Sequence, residues 1–136
     1  MTDIMQSFFP FSESTDGIIV RVSVTFLPEQ SDAQSNRWFW AYHIRLENHR
    51  DSAVQLMTRH WRINDARGGL HKVDGEGVIG EQPIIQPSKS HDYVSGCPLT
   101  TSTGHMEGHF MFLGDGSQAF AVNIPRFPLI ATTVSP

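Results

Sequence analysis

A chain of 136 residues with 39% hydrophobic, 18% charged and 10% aromatic residues has the size of one domain with one core, roughly 100–150 residues, and leaves no room for a second module. Its single cysteine, Cys97, excludes an intramolecular disulfide and fits a reducing, cytoplasmic setting. No run approaches the ~18 apolar residues of a membrane span, and no basic stretch leads into an apolar one at the N-terminus, so neither a membrane nor a secretory route is expected.

The net charge of −4 is concentrated at the start. Residues 1–17 carry Asp3, Glu13 and Asp16 and no lysine or arginine, which leaves eleven acids and ten bases for the remaining 119 residues. A near-neutral body lacks the Lys/Arg surplus with which nucleic-acid binders displace counterions, so no nucleic-acid partner is expected. The polar, acidic character of residues 1–17 predicts a flexible tail. Within it, Phe8-Phe9-Pro10-Phe11 is apolar enough to dock on the domain or on a partner. Residues 18–136 then form a single domain.

From Ile18 to Leu27 the side chains alternate: Ile18, Val20, Val22, Val24 and Phe26 share one face, and Arg21, Ser23 and Thr25 the other. Period two with β-branched residues predicts a half-buried strand. A polar connection, Pro28 to Arg37, separates it from Trp38 to Glu47, where Trp40, Tyr42, Ile44 and Leu46 lie opposite His43 and Arg45. Turn chemistry at residues 48–52 precedes a further strand, Val54 to Ile63. In that strand Arg59 and Trp61 share a face and His60 points away. Trp61 is expected in the core, His60 beside a neighbouring strand, and Arg59 is a candidate bidentate anion clamp.

Ten of the eleven glycines fall between Gly68 and Gly116, and beyond Gly68 no stretch free of glycine and proline exceeds eight residues. An average helix needs about 11–12. Apolar residues there alternate instead, as in Met106, Phe110 and Phe112, or Phe120, Val122 and Ile124. Seven or eight short antiparallel strands with turns between them predict an all-β sandwich, with a barrel as the second architecture.

Gly75-Glu-Gly77-Val-Ile-Gly80 fits the G-x-G-x-x-G dinucleotide fingerprint, which depends on a helix opening at the last glycine. Pro83 and Pro87 follow at once, and proline inside a helix costs about 3 kcal/mol or more, so that helix is excluded. Two readings stay open: a glycine turn in a β protein, or a loop whose N–H groups bind an anion without a helix. For the second, Arg59, Arg62, Arg67 and Lys72 are nearby cations, while Asp74, Glu76 and Glu81 would repel an anion.

Five ordered motifs carry a family resemblance: residues 55–65 (Gln-Leu-Met-Thr-Arg-His-Trp-Arg-Ile-Asn-Asp), residues 73–83 around the glycines, Tyr93-Val94-Ser95-Gly96, Gly104-His105-Met106-Glu107-Gly108, and Ile124-Pro125-Arg126-Phe127. Together with Gln30-Ser31 and the Tyr42 to Asn48 strand, they resemble the ApaG family over roughly residues 18–130. One departure is Pro87-Ser88-Lys89, where the family usually has Pro-Gly. The resemblance implies an immunoglobulin-like or fibronectin-type-III-like sandwich. It also implies a link to dinucleoside polyphosphate metabolism and to cobalt and magnesium tolerance, with no established reaction. Related domains in an F-box protein and a polymerase-delta-interacting protein look like partner-binding modules.

That metal association draws attention to His105, Glu107 and His109, alternate strand positions whose imidazoles and carboxylate suit cobalt or zinc. A solvated polar strand face explains the same alternation. Cys97, between Gly96 and Pro98, shows neither an oriented base nor a cause for a lowered pKa. No cofactor is expected. The reading is a non-enzymatic binding module that recognises a protein through an exposed sheet edge or through an aromatic patch near Trp38, Phe39 and the N-terminal Phe8-Phe9. An unpaired edge also offers a route to a homodimer. The alternative is a phosphorylated metabolite or nucleotide bound, or hydrolysed, at Gly75, Gly77 and Gly80 with Arg59, Arg62 and Lys72.

Overall fold

The computed structural model describes residues 4–132. Among them a short helix, α1 (Ile4–Phe8), precedes β1 (Phe11–Thr15), β2 (Ile18–Phe26), β3 (Trp38–Asn48), β4 (Val54–Asp65), β5 (Leu70–Glu76), β6 (Ile84–Ile85), β7 (Ser90–Leu99), β8 (Thr103–Leu113) and β9 (Ala119–Ile130). One antiparallel sheet is ordered β1-β2-β3-β7 and the other β5-β4-β8-β9, with β6 paired to the start of β4. Two sheets face to face make the all-β sandwich that the alternation predicts. Setting aside β1 and the two-residue β6, three strands oppose four, as in a fibronectin-type-III-like layout.

The alternating apolar residues meet between the sheets. Ile18, Val20 and Val22 of β2, Trp40, Ile44 and Leu46 of β3, and Phe110 and Phe112 of β8 are all buried, each such side chain being worth about 1.5–3 kcal/mol. Trp61 of β4 joins Tyr42 at 5.3 Å and Phe127 at 6.0 Å between ring centroids.

Two bulges shift the alternation. In β4, Leu56 pairs with Phe112 and Thr58 with Met111, so Met57 is an extra residue. Before it the even positions Val54 and Leu56 face inward; after it the odd positions Arg59, Trp61 and Ile63 do. In β9 the shift falls between Ile124 and Phe127, where Pro125 and Arg126 oppose Glu107. Proline, which has no N–H for the ladder, is tolerated at such a point.

The flexible tail expected over residues 1–17 is corrected from Phe11 onward. β1 pairs with β2 from Phe11↔Val22 to Thr15↔Ile18, through a two-residue turn with φ 49° at Asp16 and 82° at Gly17. Both positive values match the type I′ hairpin that Asp-Gly favours. Phe11 packs at 6.3 Å from Phe127, and Phe9 is buried against His43 at 4.9 Å while Phe8 is exposed. Hydrophobic contact with β9 and the ladder to β2 therefore recruit this segment into the domain, whose lower boundary moves below Ile18. Residues 1–3 and 133–136, the outer ends of the two expected ranges, lie outside the described residues.

β1 and β2 pack directly on β9 and close one side of the sandwich. On the other side the two edges, β7 and β5, have no comparable contact with each other. Near the β3–β4 crossing, buried Asn48 donates to the carbonyls of Ser52 at 3.0 Å and Ile85 at 2.9 Å and accepts from the Arg50 N–H at 2.9 Å. Its own carbonyl accepts from the Ser88 N–H at 2.8 Å. Ser88 holds φ 66°, a left-handed backbone that favours glycine. Ser88→Gly keeps that hydrogen bond and removes a Cβ penalty of about 1–2 kcal/mol, against about 0.4–1 kcal/mol of added chain entropy. Thermal denaturation should show a melting temperature higher by about 2 °C; a fall would contradict this account of the turn.

Candidate functional site

The open side of the sandwich is a cleft of about 530 Å³, bounded by β3 and β7 on one wall and by β4 and β5 on the other. Trp38 and Tyr42 reach it from the inner face of β3. Phe39 takes the opposite face of that strand and lies over Gly96, where a Cβ would stand 2.4 Å from its ring, so it forms the lip. Opposite them are Arg59, Trp61, Ile63 and Val73. Val73 faces inward with its neighbours yet keeps 40% of its surface exposed, because nothing from β7 covers it.

Arg59 stands at the inner end. Its Nη1 donates to the carbonyls of Glu76 and Gly77, both at 3.0 Å, and its guanidinium lies over Gly75, where a Cβ would meet both Nη atoms at 2.8 Å. The bulge at Met57 puts Arg59 there, since unbroken alternation from Leu56 would turn it to the outside. Beyond it lies a second space of about 280 Å³, lined by Tyr42, Arg59, Tyr93 and Ser95 and roofed by Val78, Ile79 and Gly80. The roof is a tight turn: Val78 and Glu81 exchange backbone hydrogen bonds of 2.8 and 3.0 Å, and Ile79 and Gly80 hold φ 47° and 74°. A β-branched residue rarely takes a positive φ, and Ile79 is also 63% exposed. Glu81 reaches His91 of β7 at 3.8 Å and closes this end of the cleft.

The glycines of the fingerprint thus serve a turn and the seating of an arginine, and no helix starts at Gly80. Residues 28–114 match the family model for the ApaG domain. The chain belongs to the ApaG family. It is 44% identical over 119 residues to the ApaG protein of Rhodospirillum centenum, spanning 88% of this chain and 92% of that protein. To the ApaG protein of Rhizobium meliloti it is 46% identical over 115 residues, 85% and 88% of the two chains. The crystal structure of an ApaA protein from Bordetella pertussis superposes with a TM-score of 0.81 at 36% identity, covering 83% of this chain and 92% of that one.

In this ApaG domain the expected cation cluster is not assembled. Arg59 points into the cleft, but Arg62, three residues on, faces outward with Glu107 at 4.0 Å, and Lys72 is its register partner on the exposed face of β5. Strand alternation separates positions an odd number apart, which is why one arginine of the set reaches the cavity. Gly75, Gly77 and Gly80 do border it.

The metal set is also dispersed. Same-face neighbours on a strand lie about 7 Å apart, so His105, Glu107 and His109 turn to different partners. His105 meets Arg126 at 3.1 Å, Glu107 faces Arg62, and His109 stacks on His60 at 4.6 Å. Among the described residues no group of three or more His, Cys, Asp or Glu side chains is placed to hold a metal ion. The His109 imidazole is held below its ordinary range by burial, with His60 and Arg62 adding to the effect. His60 itself pairs with Asp74 at 2.7 Å.

Cys97 lines the cleft but keeps 2% of its surface, and burial pushes its thiol up to about 11. It is therefore a protonated wall residue near neutral pH, not an activated nucleophile. Tyr42, Tyr93 and Ser95 line the candidate site and were not singled out from the sequence. Their signal was present in the Tyr93-Val94-Ser95 alternation, which sends both hydroxyls to one face. No helix among the described residues is long and apolar enough to cross a membrane.

Proposed function

We propose that this protein is a non-enzymatic, cytoplasmic binding module that holds an extended segment of a partner protein in the cleft between β5 and β7. One observation carries this reading: β5 and β7, each the edge strand of its sheet, flank an aromatic trough that no other segment among the described residues covers. An extended peptide gains affinity from edge hydrogen bonds and specificity from side chains set alternately into pockets. Trp38 and Phe39 supply the large, stiff surfaces that dominate interface energetics, over a floor formed by the buried Trp61. The aromatic-patch and sheet-edge readings of the sequence thereby become one surface. A phosphorylated metabolite at the glycine turn would retain Arg59 alone of the three proposed cations. The family's cobalt and magnesium phenotype is read as an indirect consequence of the partner's activity.

Peptides selected from a random library against the whole chain test this directly. Val73→Asp, an exposed edge position with little packing to lose, should weaken the selected peptides by at least about tenfold, the equivalent of roughly 1.4 kcal/mol. Ile130→Asp, at the opposite edge, should leave them unchanged. Peptides indifferent to Val73→Asp would overturn the cleft as the recognition surface. Light scattering across a dilution series tests self-pairing through the same edges, and a constant monomer mass would exclude it.

A further inference from the structure

We propose that the inner end of the cleft is a carboxylate subsite, in which Arg59, Tyr93 and Ser95 receive one acidic group of the bound segment and discriminate against phosphate. The inference rests on the cleft reading above and adds the chemistry of what the cleft selects.

Tyr93 is the first ground. It keeps 9% of its surface exposed, and its phenol oxygen is buried with no hydrogen-bond partner among the described residues. A sequestered polar group without a partner costs about 1–3 kcal/mol, which a ligand acceptor would recover. Burial, with Tyr42 adding and Arg59 opposing, keeps this phenol well above its ordinary range, so it is a neutral donor. Arg59 is the second ground. Its Nη1 is committed to the Glu76 and Gly77 carbonyls, which fixes the plane of the guanidinium. Among the described residues its other nitrogens make no hydrogen bond, so a side chain that lines the cavity keeps donors to spare. Ser95 adds a hydroxyl beside the Tyr42 phenol in the same space.

Charge decides the class of anion. One cation and neutral hydroxyls match a single negative charge in a space where electrostatics are strengthened by exclusion of water. Glu76 borders this space where its carbonyl holds Arg59, and Glu81 ends the roof beside His91. A phosphate dianion meets the same one cation against more repulsion. Ile79, held at positive φ with its side chain exposed, offers an apolar cover next to the anion. The matching segment presents an acidic residue or a C-terminal carboxylate flanked by apolar side chains.

The test titrates the isotope-labelled whole chain with 3-phenylpropionate, 3-phenylpropanamide and phenyl phosphate, followed by backbone and indole NMR shifts. The carboxylate should move the amides of Arg59, Gly80 and Ser95 saturably and bind about tenfold tighter than the amide, the scale of one charge-assisted hydrogen bond. Tyr93→Phe should reduce that preference without lowering the melting temperature, since it removes an unpaired hydroxyl. Arg59→Gln should abolish it. Should Arg59→Gln disturb the roof, Tyr93→Phe still decides. Equal affinity for carboxylate and amide, tighter binding of phenyl phosphate, or a preference untouched by Tyr93→Phe would each overturn the subsite. If all three probes shift the Trp38 and Trp61 indoles equally, the subsite fails and the cleft stands; if none shifts any cleft resonance, both fail.

Discussion

Gly77→Ala is expected to lower stability by about 3 kcal/mol, well above the roughly 1 kcal/mol median of point substitutions. Gly77 holds φ 63°, and a Cβ there would stand 2.1 Å from the Glu81 carbonyl oxygen. The obstacle is backbone, so relief requires the turn to open. Opening it breaks the Gly77 N–H bond to the Met57 carbonyl at 2.8 Å and removes a carbonyl that holds Arg59. Gly80→Ala is the matched control: its φ is 74°, but nothing lies within 4 Å of an added Cβ. It should cost only the left-handed penalty of about 1–2 kcal/mol. Denaturant unfolding of both variants measures the difference, and equal losses would refute the steric account.

The second large effect concerns Glu47, whose side chain is 11% exposed and bonded by Arg21 at 2.7 Å, Arg45 at 2.9 Å and His49 at 3.0 Å. Burial alone would raise its pKa, but hydrogen bonds from Arg21, His49 and Arg45 outweigh it and hold the carboxyl at about 2, below an ordinary 4.5. The unfolded chain then binds a proton that the native chain refuses as pH falls through that interval. The stabilisation is complete above the ordinary value and is lost as pH approaches 2. Its size is roughly 2–3 kcal/mol once solvent screening is allowed for. Glu47→Gln should therefore be less stable than the parent by that amount near neutral pH, and the two unfolding free energies should converge in acid. Parallel pH profiles would show that the network contributes no net linkage.

Strand positions were legible because period two is a direct consequence of the pleat, and β2, β3 and β4 begin where the alternation begins. What escaped was mostly geometry added on top of that period. The Met57 bulge reverses the facing of everything after it in β4, and only cross-strand register reveals it; without it Arg59 would point to solvent. The dispersal of Arg62 and Lys72 follows from the same alternation and was readable, but proximity in sequence obscured it. The tail was misjudged because composition was weighed above the Asp16-Gly17 pair, a hairpin signal in its own right. Nothing in the chain announces that β5 and β7 stand apart, since that depends on which strands close the opposite side. The Tyr93 hydroxyl became a site residue only when its burial and lack of a partner were visible together.

Chemical-shift mapping with a library-selected peptide on the isotope-labelled whole chain tests the central claim most directly. The account predicts the largest shifts along residues 71–80 and 93–98, with the Trp38 and Trp61 indoles following the same saturation curve. Shifts centred instead on β1, β9 or the outer face of β8 would contradict it.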